Sequence, residues 1–107
     1  MNLPHVISEL VKAQDIYDSD AYANCFTETA VVFDEGHTYN GRSEIRQWIG
    51  EANGNYKIGM KPLEYAEKGA QSILTAEISG EFPGSPAVLK YHFELKDGLI
   101  QSLKVTG

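Results

Sequence analysis

Val31–Gly41, VVFDEGHTYNG, running on into Arg42–Ile49, RSEIRQWI, decides how this chain is read. It opens apolar and β-branched at Val31, Val32 and Phe33, the composition of a strand. The strand reaches a carboxylate at Asp34, turns at Glu35-Gly36, and returns through His37, Thr38, Tyr39 and Asn40 as a short partner. Gly41 breaks that partner, and Ser43, Ile45, Trp48 and Ile49 then follow helical spacing. A carboxylate at the end of a buried strand is costly unless something hydrogen-bonds it or a cavity opens beside it. Asp34 is therefore the first candidate for chemistry.

Upstream, Val6, Ile7, Leu10, Val11, Ala13, Ile16 and Tyr17 recur with a helical period, with Glu9, Lys12 and Asp15 on the other side. Asn2 as cap and Pro4 in the first turn suit a helix start. This predicts an amphipathic helix over about residues 3–17. A shorter helix capped by Asp20 follows and carries Tyr22, Cys25 and Phe26. Then come the strand Ala30–Asp34, its partner His37–Asn40, and a third helix that Gly50 and Asn53-Gly54-Asn55 are expected to end.

Downstream the texture changes to strands. Tyr56–Glu67 is long and carries Pro62, which predicts a bend or bulge. Gln71–Phe82 and Ala87–Lys96 alternate apolar and polar, Asp97-Gly98 is a strong hairpin turn, and Leu99–Thr106 closes the sheet. Helices followed by antiparallel strands predict an α+β fold with the helices on one face of the sheet. The 107 residues form one domain, 1–107, with no linker or repeat.

The net charge of −6 argues against nucleic-acid binding, which needs a basic face. The single cysteine, Cys25, allows no intramolecular disulfide and reads as a small buried thiol. The N-terminus has no basic segment leading into an apolar one, and no apolar run reaches membrane-spanning length. A cytoplasmic location without membrane contact is the default expectation. His5, His37 and His92 share no metal-ligand spacing, so no metal is expected.

Asn24–Asp34 (NCFTETAVVFD), Gly41–Trp48 (GRSEIRQW) and Tyr91-His92-Phe93 followed by the Asp97-Gly98 hairpin resemble the nuclear transport factor 2-like superfamily. Within it the likeness is to the SnoaL-like polyketide cyclases and the ketosteroid isomerases. The resemblance implies a cone, a cystatin-like roll in which a strongly curved, mostly antiparallel sheet wraps three N-terminal helices and leaves a pocket at its open end. It implies that Asp34 matches the isomerases' general base and that Tyr91 stands where they carry a protonated acid facing the substrate oxygen. It implies no cofactor and, because such proteins commonly pair through the broad sheet face, a homodimer. The isomerases also use an early-helix tyrosine; that position falls near Lys12, with Tyr17 about a turn away, which leaves steroid isomerisation without its main oxyanion donor.

The candidate catalytic residues are thus Asp34, Tyr91 and His37. His37 lies across the turn from Asp34, where a histidine–carboxylate pair can relay a proton. Tyr17, Trp48 and Tyr56 are candidate pocket walls, aromatic with a polar tip. Phe93 and Leu103 share the inward parity of Tyr91 and are expected to line the cavity. Arg42 and Arg46 could pair with Asp34 or Glu35 or bind an anionic ligand, and are read as a solvated helix face. Two functions fit: a cofactor-independent isomerase or cyclase acting on a small apolar carbonyl compound, or a noncatalytic ligand-binding or interaction module of the same shape.

Overall fold

Two Xaa-Gly turns set the geometry of the sheet. Glu35-Gly36 and Asp97-Gly98 both have positive φ at both central residues (51° and 77°; 53° and 80°), the turn whose twist matches that of the flanking strands. The computed structural model describes residues 1–107. In chain order it contains α1 (His5–Asp15), α2 (Ser19–Asn24), β1 (Phe26–Asp34), β2 (His37–Asn40), α3 (Gly41–Tyr56), β3 (Gly59–Lys68), β4 (Gln71–Ser79), β5 (Ala87–Lys96) and β6 (Leu99–Thr106).

The six strands form one curved sheet in the order β2-β1-β6-β5-β4-β3, antiparallel throughout except for the β1–β6 pair. The helices pack on its concave face, giving the α+β arrangement that the sequence pattern predicts and the cone that the resemblance implies. Ile7 and Leu10 of α1 and Ile45 of α3 meet Val32, Leu74, Ile100 and Leu103 of the sheet in one core with no solvent access. Burial of each such side chain is worth about 1.5–3 kcal/mol. The anticipated irregularity in β3 is present, as its register with β4 shifts between Pro62 and Glu64.

Several boundaries differ from the sequence reading. Strand β1 begins at Phe26 rather than Ala30, which leaves Cys25 and Phe26 outside α2. Strand β3 runs over Gly59–Lys68 rather than from Tyr56, and β4 stops at Ser79 rather than Phe82. The helix ends differ too. Helix α1 stops at Asp15 because Tyr17 adopts a left-handed φ of 56°. Its N–H donates to the Gln14 carbonyl, and the Asp18 N–H donates to the Ala13 carbonyl, a Schellman closure. The cap of α2 is then Asp18, whose carboxylate accepts from the Ala21 N–H at 2.9 Å, and not Asp20. Helix α3 runs through Gly50 to Tyr56 and ends where Lys57 turns left-handed. What carries it past Gly50 is tertiary: buried Asn53 accepts a 2.8 Å hydrogen bond from Gln14 of α1.

Candidate active site

The strand register brings the chemistry together. Asp34 ends β1 with the same parity as core residues Ala30 and Val32, so its side chain lies on the concave face. Its hairpin partner is His37. The β1–β6 register pairs Phe33 with Lys104, which places Asp34 beside Val105, and Val105 pairs with Tyr91 on β5. His37, Asp34, Val105 and Tyr91 thus form one row across the concave face. Asp34 and Tyr91 are two strand spacings apart, about 10 Å at Cα. All four residues line a cavity of about 480 Å³ at the open end of the cone, within the usual size range for small-molecule sites.

The helices complete the walls. Tyr39 of β2 stacks on Trp48 of α3 with centroids 5.3 Å apart, and Trp48 meets Tyr22 of α2 edge-on at 6.2 Å. Tyr56 and Phe82 make an edge-to-face pair at 6.3 Å on the same cavity. Gln14 reaches the cavity from α1, held by two bonds from its Nε2, to Asn53 Oδ1 (2.8 Å) and to the Ile58 carbonyl (2.9 Å).

Asp34 forms no ion pair: Arg46 is turned to Asp20 (3.3 Å), and Arg42 donates from Nε to the Phe26 carbonyl (2.7 Å) with Glu28 nearby. Burial, followed by the neighbouring Glu35, raises the Asp34 carboxyl above its ordinary value, while the Trp48 indole N–H and His37 partly offset that rise. The indole contact falls short of a well-aligned hydrogen bond. Burial and then Asp34 push the Tyr91 phenol up, and burial followed by Tyr91, Cys25 and Asp34 does the same to Tyr22. Both phenols therefore stay protonated as donors. Tyr22 is 2% exposed and Tyr91 8%, and neither hydroxyl has a protein partner, yet both border the cavity. These hydroxyls open onto the cavity, so whatever fills it, water or ligand, can accept from them.

Of the residues singled out in the sequence, Asp34, Tyr91, His37, Trp48 and Tyr56 share this cavity. Three do not line it. Tyr17 leaves the helical stripe at the α1 closure and is 48% exposed. Phe93 and Leu103 pair with one another one inward-facing row deeper, where the helices pack directly on the sheet, and they belong to the core beneath Tyr91. His92 faces the convex side, its Nε2 2.9 Å from Thr106 Oγ1. Cys25 is buried, its thiol pushed up to about 11 by that burial and donating to the Ala21 carbonyl. Sequence reasoning missed Tyr22, which looks like any core aromatic on a short helix. It also missed Gln14, for which there was a signal: an amide on the apolar stripe of α1, next to Ala13 and four residues after Leu10.

Neither the protein-family profiles nor the curated protein sequences compared with the chain give a match. Solved structures do. A proposed polyketide cyclase from Sinorhizobium meliloti is 36% identical, with 97% of this chain and 95% of that one covered and a TM-score of 0.93. A protein of ketosteroid isomerase-like fold from Catenulispora acidiphila, in complex with trimethylamine, is 16% identical, with coverage of 99% and 87% and a TM-score of 0.87. A nuclear transport factor 2-like protein of Cytophaga hutchinsonii is 17% identical, with coverage of 94% and 85% and a TM-score of 0.79. The latter two show the cone alone. With the first, the chain belongs to the nuclear transport factor 2-like superfamily, in its group of SnoaL-like, polyketide cyclase-type proteins.

Proposed function

We propose that the protein binds a small, largely apolar carbonyl compound in the cone and catalyses its isomerisation or ring closure without a cofactor. One observation carries this reading: an unpaired carboxylate, Asp34, shares a cavity with two buried phenols, Tyr91 and Tyr22, whose hydroxyls have no protein partner. In the proposed step Asp34 takes the proton alpha to the carbonyl, and the electron pair of the broken C–H bond moves onto the carbonyl oxygen. Tyr91 and Tyr22 stabilise that oxyanion by hydrogen bonding without giving up their protons. Protonated Asp34 returns the proton at another carbon in an isomerisation. In a ring closure the enolate carbon instead attacks a second carbonyl, whose π pair moves onto its oxygen, and protonated Asp34 returns the proton to that alkoxide. Tyr22 supplies the second donor that the early helix lacks. His37, opposite Asp34 across the turn, lets protonated Asp34 exchange its proton with solvent before returning one to the substrate.

The test is hydrogen–deuterium exchange at the alpha carbon, followed by NMR over a panel of steroid enones and aromatic polyketides. The wild type is expected to exchange a member of the panel, and Asp34→Asn to slow that exchange by about 10²–10⁴-fold. Equal rates in the two proteins remove Asp34 from the mechanism.

A further inference from the structure

The cavity wall carries three carboxylates, Asp34, Glu35 and Glu51, and no lysine or arginine. None of the three is in an ion pair, since the acids that find cations are Glu9, Asp20, Glu28 and Glu81. All three act on one phenol, Tyr39, whose proton is held more tightly by burial and then by their combined field. Tyr39 in turn lies against Trp48, giving a two-ring π surface among the acids. Aromatic faces carry the negative part of the ring quadrupole and attract cations, organic ammonium groups above all.

A second observation lies deeper in the same cavity. Gln14 is 2% exposed and commits its amide nitrogen to Asn53 and Ile58, which leaves its Oε1 as an acceptor without a protein partner. A wall that offers carboxylates, π faces and an amide oxygen attracts positive charge and repels negative. No three histidine, cysteine or carboxylate side chains are grouped so as to hold a metal ion. Carboxylates set around a ring suit the diffuse charge of an alkylammonium better than a compact ion.

We propose that the ligand is a carbonyl compound bearing an ammonium group, seated with its cationic end against Tyr39 and Trp48 between Glu35 and Glu51. The assignment of the carbonyl end to Tyr22 and Tyr91 rests on the function proposed above; the assignment of the cationic end does not.

Trp48 is the single tryptophan and stands in the wall, so its fluorescence reports occupancy. Titration at pH 7 with benzylammonium, benzyl alcohol and benzoate compares one ring at three charges. Benzylammonium is expected to bind about tenfold or more tighter than benzyl alcohol, with benzoate weakest, and added salt is expected to narrow the gap. In the Glu35→Gln, Glu51→Gln double variant, built at two exposed positions, the gap is expected to shrink while benzyl alcohol binds as before. Equal binding of the charged and neutral probes by the wild type overturns the charge preference and leaves the cavity as a binding site. No response to any of the three overturns both. A preference unchanged in the double variant overturns the assignment to Glu35 and Glu51. Failure of the catalytic reading shows separately, in the Asp34→Asn exchange experiment.

Discussion

Asp34 is held where its charge is unfavourable, and that has a consequence for stability. Its carboxyl is raised above its ordinary value of 3.8, with burial as the largest cause. Between the ordinary and the raised value the unfolded chain has released this proton and the folded chain has not. The unfolded state therefore binds fewer protons, and this group's contribution to stability falls as pH rises through that window and then levels off. Asp34→Asn removes the titration. The variant is expected to melt a few degrees above the wild type at pH 7, and thermal melts at pH 3, below both values, should show that advantage gone. Because the ionised form is the proposed base, wild-type turnover should rise with pH along a limb set above the ordinary carboxylate range. The phenols make the complementary case. Tyr91→Phe and Tyr22→Phe each delete a hydroxyl without a protein partner, so denaturant titration should find stability kept within about 1 kcal/mol. Turnover should fall by about 10²–10³-fold, the usual loss for one oxyanion donor. A large loss of stability in either variant would mean that the hydroxyl is structural.

At the level of elements, the hairpins were easy to read and the helix ends were not. The bounds of β5 and β6 agree with the alternation Leu89-Tyr91-Phe93-Leu95 and with the Asp97-Gly98 turn, because both signals are local. The end of α3 is misread because Gly50 is a poor helix former whose cost is offset from outside the helix. A Cβ at Gly50 would meet only the Ser19 side chain, at 3.8 Å, and one at Gly54 would meet nothing within 4 Å. Gly50→Ala and Gly54→Ala are therefore each expected to stabilise by up to about 1 kcal/mol, raising Tm by a few degrees for a domain of this size. The opposite is expected at Gln14, which ties α1 to α3 and to the residue before β3. Gln14→Leu strands the Asn53 oxygen and the Ile58 carbonyl, and chemical denaturation should show a loss of about 2 kcal/mol. Boundary errors of the same origin put Tyr17 in the pocket: the period of α1 continues in the sequence past the point where the backbone leaves the helix.

For the molecule as a whole, the curved sheet has two faces with different fates. The concave face holds the helices and the cavity. The convex face presents the row Phe33, Lys104, His92 and Ile73, with Phe33 and Val88 exposed among charges. We propose a homodimer through this face: light scattering at micromolar concentration should give twice the mass of one chain, and a monomer mass would remove it. No helix is long and apolar enough to cross a membrane. What the sequence determined by itself was whatever depends on neighbours along the chain: the strand periods, the two glycine turns, the order of elements, and from these an α+β sheet with its helices on one face; the cone and the roles of Asp34 and Tyr91 came from the resemblance. Only the tertiary structure decided which inward residues reach the cavity and which lie beneath it. It alone brought Tyr22, Gln14 and Glu51 to the same space as Asp34. Parity says which face a side chain takes, but its depth along the cone depends on where helices from elsewhere in the chain come to rest.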